Sequence, residues 1–185
     1  MYTNNTLKTV QMGFSKRLRE DDINLIYAIT RAIIRQELGR TYNKMYIDSN
    51  WVWYFIYKDE VKDYARVEPG NEYGLTVPTP TNKVFVFIDD LVPLHPSNYF
   101  MLSELTRRIS HELTHAFAFF LKELGRIEHK DAVKVHRYID DAVREGAEAE
   151  KIIWHNGVLG LLRVYKLKCY AVKPTIAKAI GYMPK

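Results

Sequence analysis

The chain reads as an α+β domain, and three observations carry that reading. Apolar residues recur at helical spacing near 21–38, 97–124 and 131–154. Runs rich in aromatic and β-branched residues lie between the first two of these stretches, and Pro, Gly and Asn punctuate the joins. The expected order is an N-terminal helix, a short and mostly antiparallel sheet, and two further helices. A chain of 185 residues with 47% hydrophobic content can bury one core without covalent staples, so a single domain over 1–185 is expected.

Each element has its own signal. Asp21 or Asp22 is placed to cap the first helix, which turns Ile23, Ile26, Tyr27, Ile33, Ile34 and Leu38 inward and closes at Gly39. Met45-Tyr46-Ile47 and the run Trp51 to Tyr57 predict strands, separated by a turn at Asp48-Ser49-Asn50. The segment from Glu68 to Gly74 has loop composition. Lys83 to Asp89 predicts a further strand, bounded by Pro78, Pro80 and Asn82. Ser97 after Pro96 is a natural N-cap for the next helix, whose stripe is Leu105, Ile109, Leu113, Ala116, Phe117, Phe120 and Leu124, with Gly125 as its stop. The last helix runs from about Asp131 to Trp154 on Val135, Ile139, Ala142, Gly146, Ala149 and Ile153, and ends at Asn156-Gly157.

The second of these helices carries His111-Glu112-Leu113-Thr114-His115. Positions i and i+4 lie one turn apart on the same helix face, so His111 and His115 can bind one zinc ion. Glu112, beside His111, can reach the water that such a metal activates and serve as general base. Two histidines leave a catalytic zinc site one protein ligand short. Downstream candidates are His129, His136, Asp140, Asp141, Glu145, Glu148 and His155. Asp141, Glu145 and Glu148 form an acidic ridge at steps of four and three, a pattern that a plain solvated helix face also shows.

With uncharged Ile109, Leu113, Thr114 and Ala116 around it and apolar Phe117 after it, the motif resembles the active-site signature of the zincin metallopeptidases. Arg108 departs from that signature, which often has Val or Thr there. Glu145-Gly146-Ala147-Glu148-Ala149 is similar to the E-G-x-A-E string of the gluzincins, zincins whose third ligand is a glutamate on a second helix. The resemblance covers about residues 84–154. It implies a small zincin-like domain holding one Zn²⁺ per chain through His111, His115 and Glu145. Glu148 or Asp141 would orient the ligands from behind, because Ala149 stands where gluzincins commonly have a second carboxylate. His129 is the rival third ligand, in an arrangement resembling the SprT-type proteases. The zincin likeness also implies that the strand at 83–89 is a sheet edge holding an extended peptide, with Phe85 or Phe87 lining a pocket; by its residues alone it reads equally well as a core strand with no substrate role. The activity implied is hydrolysis of a peptide or protein substrate. The alternatives are an inactive zinc-stabilised binding protein, or a SprT-type protease acting on nucleic-acid-bound protein.

Composition narrows the setting. The lone Cys169 excludes an internal disulfide and fits a reducing interior. The first residues lack a secretory pattern and no apolar run reaches membrane-spanning length, so a cytoplasmic protein is expected. Beyond Glu150 there are seven Lys and Arg and no acidic residue, so 151–185 carries +7 while the preceding residues net −2. That basic tail, with Tyr165, Tyr170 and Tyr182, suits nucleic acid or an acidic surface, although solvated lysines on a final packed element have the same look.

Overall fold

The computed structural model describes residues 10–37, 50–78 and 80–123. Strand β1 (Met12–Phe14) leads to helix α1 (Glu20–Glu37), then to β2 (Val52–Ile56) and a 3-10 turn at Lys58–Asp63. Strands β3 (Gly74–Val77) and β4 (Lys83–Phe87) follow, and then helix α2 (Tyr99–Glu123). The expected α+β class holds, but the sheet is mixed rather than mostly antiparallel. Its order is β1-β2-β4-β3, with β1/β2 and β2/β4 parallel and only β3/β4 antiparallel. The physical reason lies in the connections. A parallel neighbour needs a long crossover, and α1 lies between β1 and β2 in the chain, whereas a short turn joins β3 to β4. Asn82, just before β4, takes a left-handed backbone (φ 49°), a conformation that asparagine tolerates better than most residues.

Period-two alternation sorts the side chains onto two faces. On one face Phe85, Phe87 and Ile56 cluster with Val61 of the 3-10 turn, and Tyr54, Tyr64, Ala65, Val67, Leu75 and Val77 pack around them. On the other face Phe14 stacks on Phe55, and Phe55 on Trp53. Strands β2 and β4 each have two strand neighbours, and β4 is buried over nearly its whole length. Such strands read as continuous apolar runs, which is why the sequence marks them so clearly.

Helix α1 starts at Glu20, earlier than Asp21 or Asp22 as N-cap would have it. Ile26, Ile33 and Ile34 are buried as expected, and Ile23 and Tyr27 are half-buried. Asp22 instead sits in the first turn, where a carboxylate favours the helix dipole. It is almost fully buried. Its oxygens accept from the Arg19 guanidinium at 3.0 Å and from the backbone N–H of Leu94 at 2.8 Å. The bond from Arg19, and then the Leu94 N–H, hold its carboxyl below the usual carboxylate range against the opposing effect of burial. One buried acid therefore ties the start of α1 to the loop that leads into α2. Leu38, Gly39 and the strand expected at 45–47 lie outside the described residues, as do Leu124, Gly125 and every residue after Gly125.

The chain divides into two compact units, Met1–Glu112 and Leu113–Lys185. The first holds the sheet, α1 and the opening turns of α2; the described part of the second is the remainder of α2. Among the described residues no helix is long and apolar enough to cross a membrane.

Asp22→Asn should cost about 1–3 kcal/mol of stability at neutral pH, the scale of a weakened buried hydrogen-bonded charge. The folded-state pKa of Asp22 is depressed, so its contribution is complete above the ordinary carboxylate range and is lost as pH falls through the folded value. Urea unfolding at stepped pH should show the gap between wild type and variant closing below about pH 4.

Candidate metal centre

Helix α2 forms because apolar residues repeat at three- and four-residue steps over 25 residues. Its cap is Asn98, whose side-chain oxygen accepts from the N–H of Met101 at 3.2 Å. Ser97, the expected cap, lies one residue too early and bonds to the His95 ring at 2.6 Å instead. The buried stripe is Leu105, Ile109, Leu113, Ala116, Phe117 and Phe120, as the spacing predicts. His111, Glu112 and His115 lie within this uninterrupted helix, so the helical rise and twist alone set the two imidazoles one turn apart on one side. His111 is half-buried and His115 is buried.

Glu112 is also buried, 5% exposed, and strand β3 lies against it. The Thr76 hydroxyl donates to Glu112 Oε2 at 2.6 Å. Two residues earlier, Gly74 passes so close that a Cβ there would lie 2.7 Å from Glu112 Oε1, 2.8 Å from its Cγ and 2.9 Å from the Phe85 carbonyl oxygen. Only glycine fits, since one of the three obstacles is backbone. Gly74 and Thr76 share this face by alternation, while Leu75 and Val77 turn to the opposite cluster.

The same strand has a free edge among the described residues, with β4 as its one strand neighbour. The N–H of Phe87 donates to the carbonyl of Tyr73 at 3.0 Å. That bond makes 73/87, 75/85 and 77/83 the hydrogen-bonded pairs of the antiparallel ladder. Gly74 and Thr76 therefore aim their own N–H and C=O groups away from β4.

Arg108, one turn before Glu112, has a structural task that accounts for its presence. Its guanidinium is buried, forms a two-pronged pair with Asp90 at 2.7 and 2.8 Å, donates to the Phe87 carbonyl at 3.2 Å, and lies 4.2 Å from the ring centre of Tyr73. This fork joins the helix to the end of β4 and to the residue just before β3. The Arg108 bond is the main reason the Asp90 carboxyl is held below its usual range.

The remaining expected site residues divide in two. Phe85 and Phe87 are fully buried in the cluster with Ile56 and Val61, and β4 is paired on both sides, so the strand at 83–89 is not the sheet edge. Among the described residues the edges are β1 and β3, and β3 lies outside β4 because the chain doubles back through the 78–82 turn and adds β4 inside it. Glu145, His129, Glu148, Asp141, the tyrosines of the tail and the basic segment 151–185 lie outside the described residues. Among the described residues no three His, Cys, Asp or Glu side chains converge as a metal site. The described donor set is thus two imidazoles at i and i+4, which suits zinc and leaves a third ligand to be supplied from elsewhere. No protein-family model, no curated protein and no solved structure matches this chain.

Sequence reasoning missed Gly74, Thr76 and the Arg108–Asp90 pair. The alternation of Leu75 and Val77 beside Pro78 was the available signal for β3, but four residues opening on glycine look like loop.

Gly74→Ala should destabilise the fold by about 1–3 kcal/mol, as overpacking against backbone does, seen as a lower urea midpoint. Arg108→Lys should lose the fork and cost a similar amount, about 1–3 kcal/mol, whereas Asp90→Asn should cost less because Asp90 is itself 57% exposed.

Proposed function

We propose that the chain is a zinc-dependent metallopeptidase, built like a small gluzincin. The observation that carries this reading is the pairing of His111 and His115 on one helix with a Glu112 carboxylate held against β3, an edge strand among the described residues. His111 and His115 would hold the metal together with Glu145, with His129 as the competing third ligand. Zinc, when bound, would polarise a peptide carbonyl and make water nucleophilic near neutral pH.

The chain's own residues would do the rest. Glu112 would take a proton from the attacking water and return it to the leaving amine. Burial in a water-poor setting strengthens its electrostatic influence on that proton. An extended peptide would add to β3, bonding to the outward N–H and C=O groups of Gly74 and Thr76, so that its backbone lies beside Glu112. Main-chain recognition of this kind is indifferent to sequence, so side-chain preference would come from other surfaces.

Zinc per chain, measured by elemental analysis in wild type, Glu145→Ala and His129→Ala, tests the ligand set. Near-stoichiometric zinc that is lost with Glu145 alone supports the gluzincin arrangement, and loss with His129 alone favours the SprT-like one. Absence of zinc in reconstituted wild type overturns the reading. Glu112→Gln should keep the metal and lose at least about 10²-fold in peptide hydrolysis, and full turnover by that variant would sink the assigned mechanism.

A further inference from the structure

We infer that Thr76 is a positioning residue for Glu112: its hydroxyl sets the direction of the carboxylate and Gly74 closes the space on the other side. The inference rests on the peptidase reading above, in which Glu112 is the general base. A glutamate has three rotatable side-chain bonds and on an open helix face would sample many orientations. Here Oε2 takes the Thr76 hydroxyl at 2.6 Å, while Oε1 and Cγ lie where a Gly74 side chain would be. That bond is short and charge-assisted, among the stronger kinds a protein makes.

The support is rigid. Thr76 is β-branched, hence stiff at its first side-chain torsion, and it sits in a strand paired residue for residue with β4, opposite Val84. A group held from a sheet keeps its place better than one held from a loop. The hydroxyl has no evident role in building the strand, since valine has the same shape and an equal or better preference for sheet. A carboxylate offers about four acceptor positions, so the bond to Thr76 does not exhaust its ability to take a proton. Orientation is what the contact adds: the carboxylate is presented from the strand along which the peptide would lie.

The test compares wild type, Thr76→Val and Thr76→Ser as full-length zinc-loaded proteins, on a peptide that wild type cleaves. Zinc content and melting temperature are measured alongside kcat and KM. Thr76→Val should keep its zinc and stay folded, melting up to about 10 °C lower for the lost charge-assisted bond, hold KM within about two-fold and lose about 10- to 100-fold in kcat, the scale of a misaimed acid–base group. Thr76→Ser should recover most of that loss. An unchanged kcat in Thr76→Val overturns the inference and leaves the peptidase reading standing. So does a loss that serine fails to restore, or one that follows zinc loss or unfolding. A zinc-loaded wild type that cleaves no member of a broad peptide library overturns the peptidase reading itself, and the positioning role with it.

Discussion

The close approach of β3 to α2 at Gly74 governs the geometry around the histidine motif. With no side chain at that position, the strand backbone comes down onto Glu112 until a single added carbon would overlap the carboxylate and the neighbouring strand's carbonyl together. Alternation then dictates the rest. Thr76 must face the helix and bond to Glu112, while Leu75 and Val77 must enter the apolar cluster on the far face. A one-residue slip of β3 would put a leucine against the carboxylate and a glycine into the core, so the register is strongly specified.

Ionic groups secure the joins that apolar packing leaves open. Burying an unpaired charge costs several kcal/mol, so a buried charge demands a partner, and the partner's location becomes a constraint on the fold. Asp22 meets Arg19 and the Leu94 N–H, fixing α1 to the loop before α2. Arg108 meets Asp90 and the Phe87 carbonyl, fixing the rotation of α2 about its own axis one turn before the motif. Glu112 meets Thr76. Because the last two are i and i+4 on one helix, a single helix face carries both contacts. Interactions of this sort add little net stability relative to apolar packing, but they exclude alternatives in which the helix is turned or shifted along the sheet.

Much of this architecture is legible in the residues. The three- and four-residue steps of Leu105, Ile109, Leu113, Ala116, Phe117 and Phe120 announce α2, and the aromatic and β-branched runs at 51–57 and 83–89 announce β2 and β4. Strands β1 and β3 are harder to see. Met12-Gly13-Phe14 is too short for a period, and its glycine is there because the Tyr54 ring lies against it, 2.6 Å from where a Cβ would be. Cap positions moved by a residue or two, to Asn98 for α2 and to a start at Glu20 for α1, because a cap depends on local geometry that composition only suggests.

By itself the sequence determined what is local: the α+β order, the helical stripe of α2, and the one-turn spacing of His111 and His115. These follow from backbone periods that any few consecutive residues express. Tertiary structure decided that β4 lies inside the described sheet with β3 outside it, that two of its three strand pairings run parallel, and what Arg108 and Glu112 touch. Thr76 and Glu112 are 36 residues apart, and Arg108 and Asp90 are 18. At those separations no periodicity links the partners, and only the packing of helix against sheet brings them together.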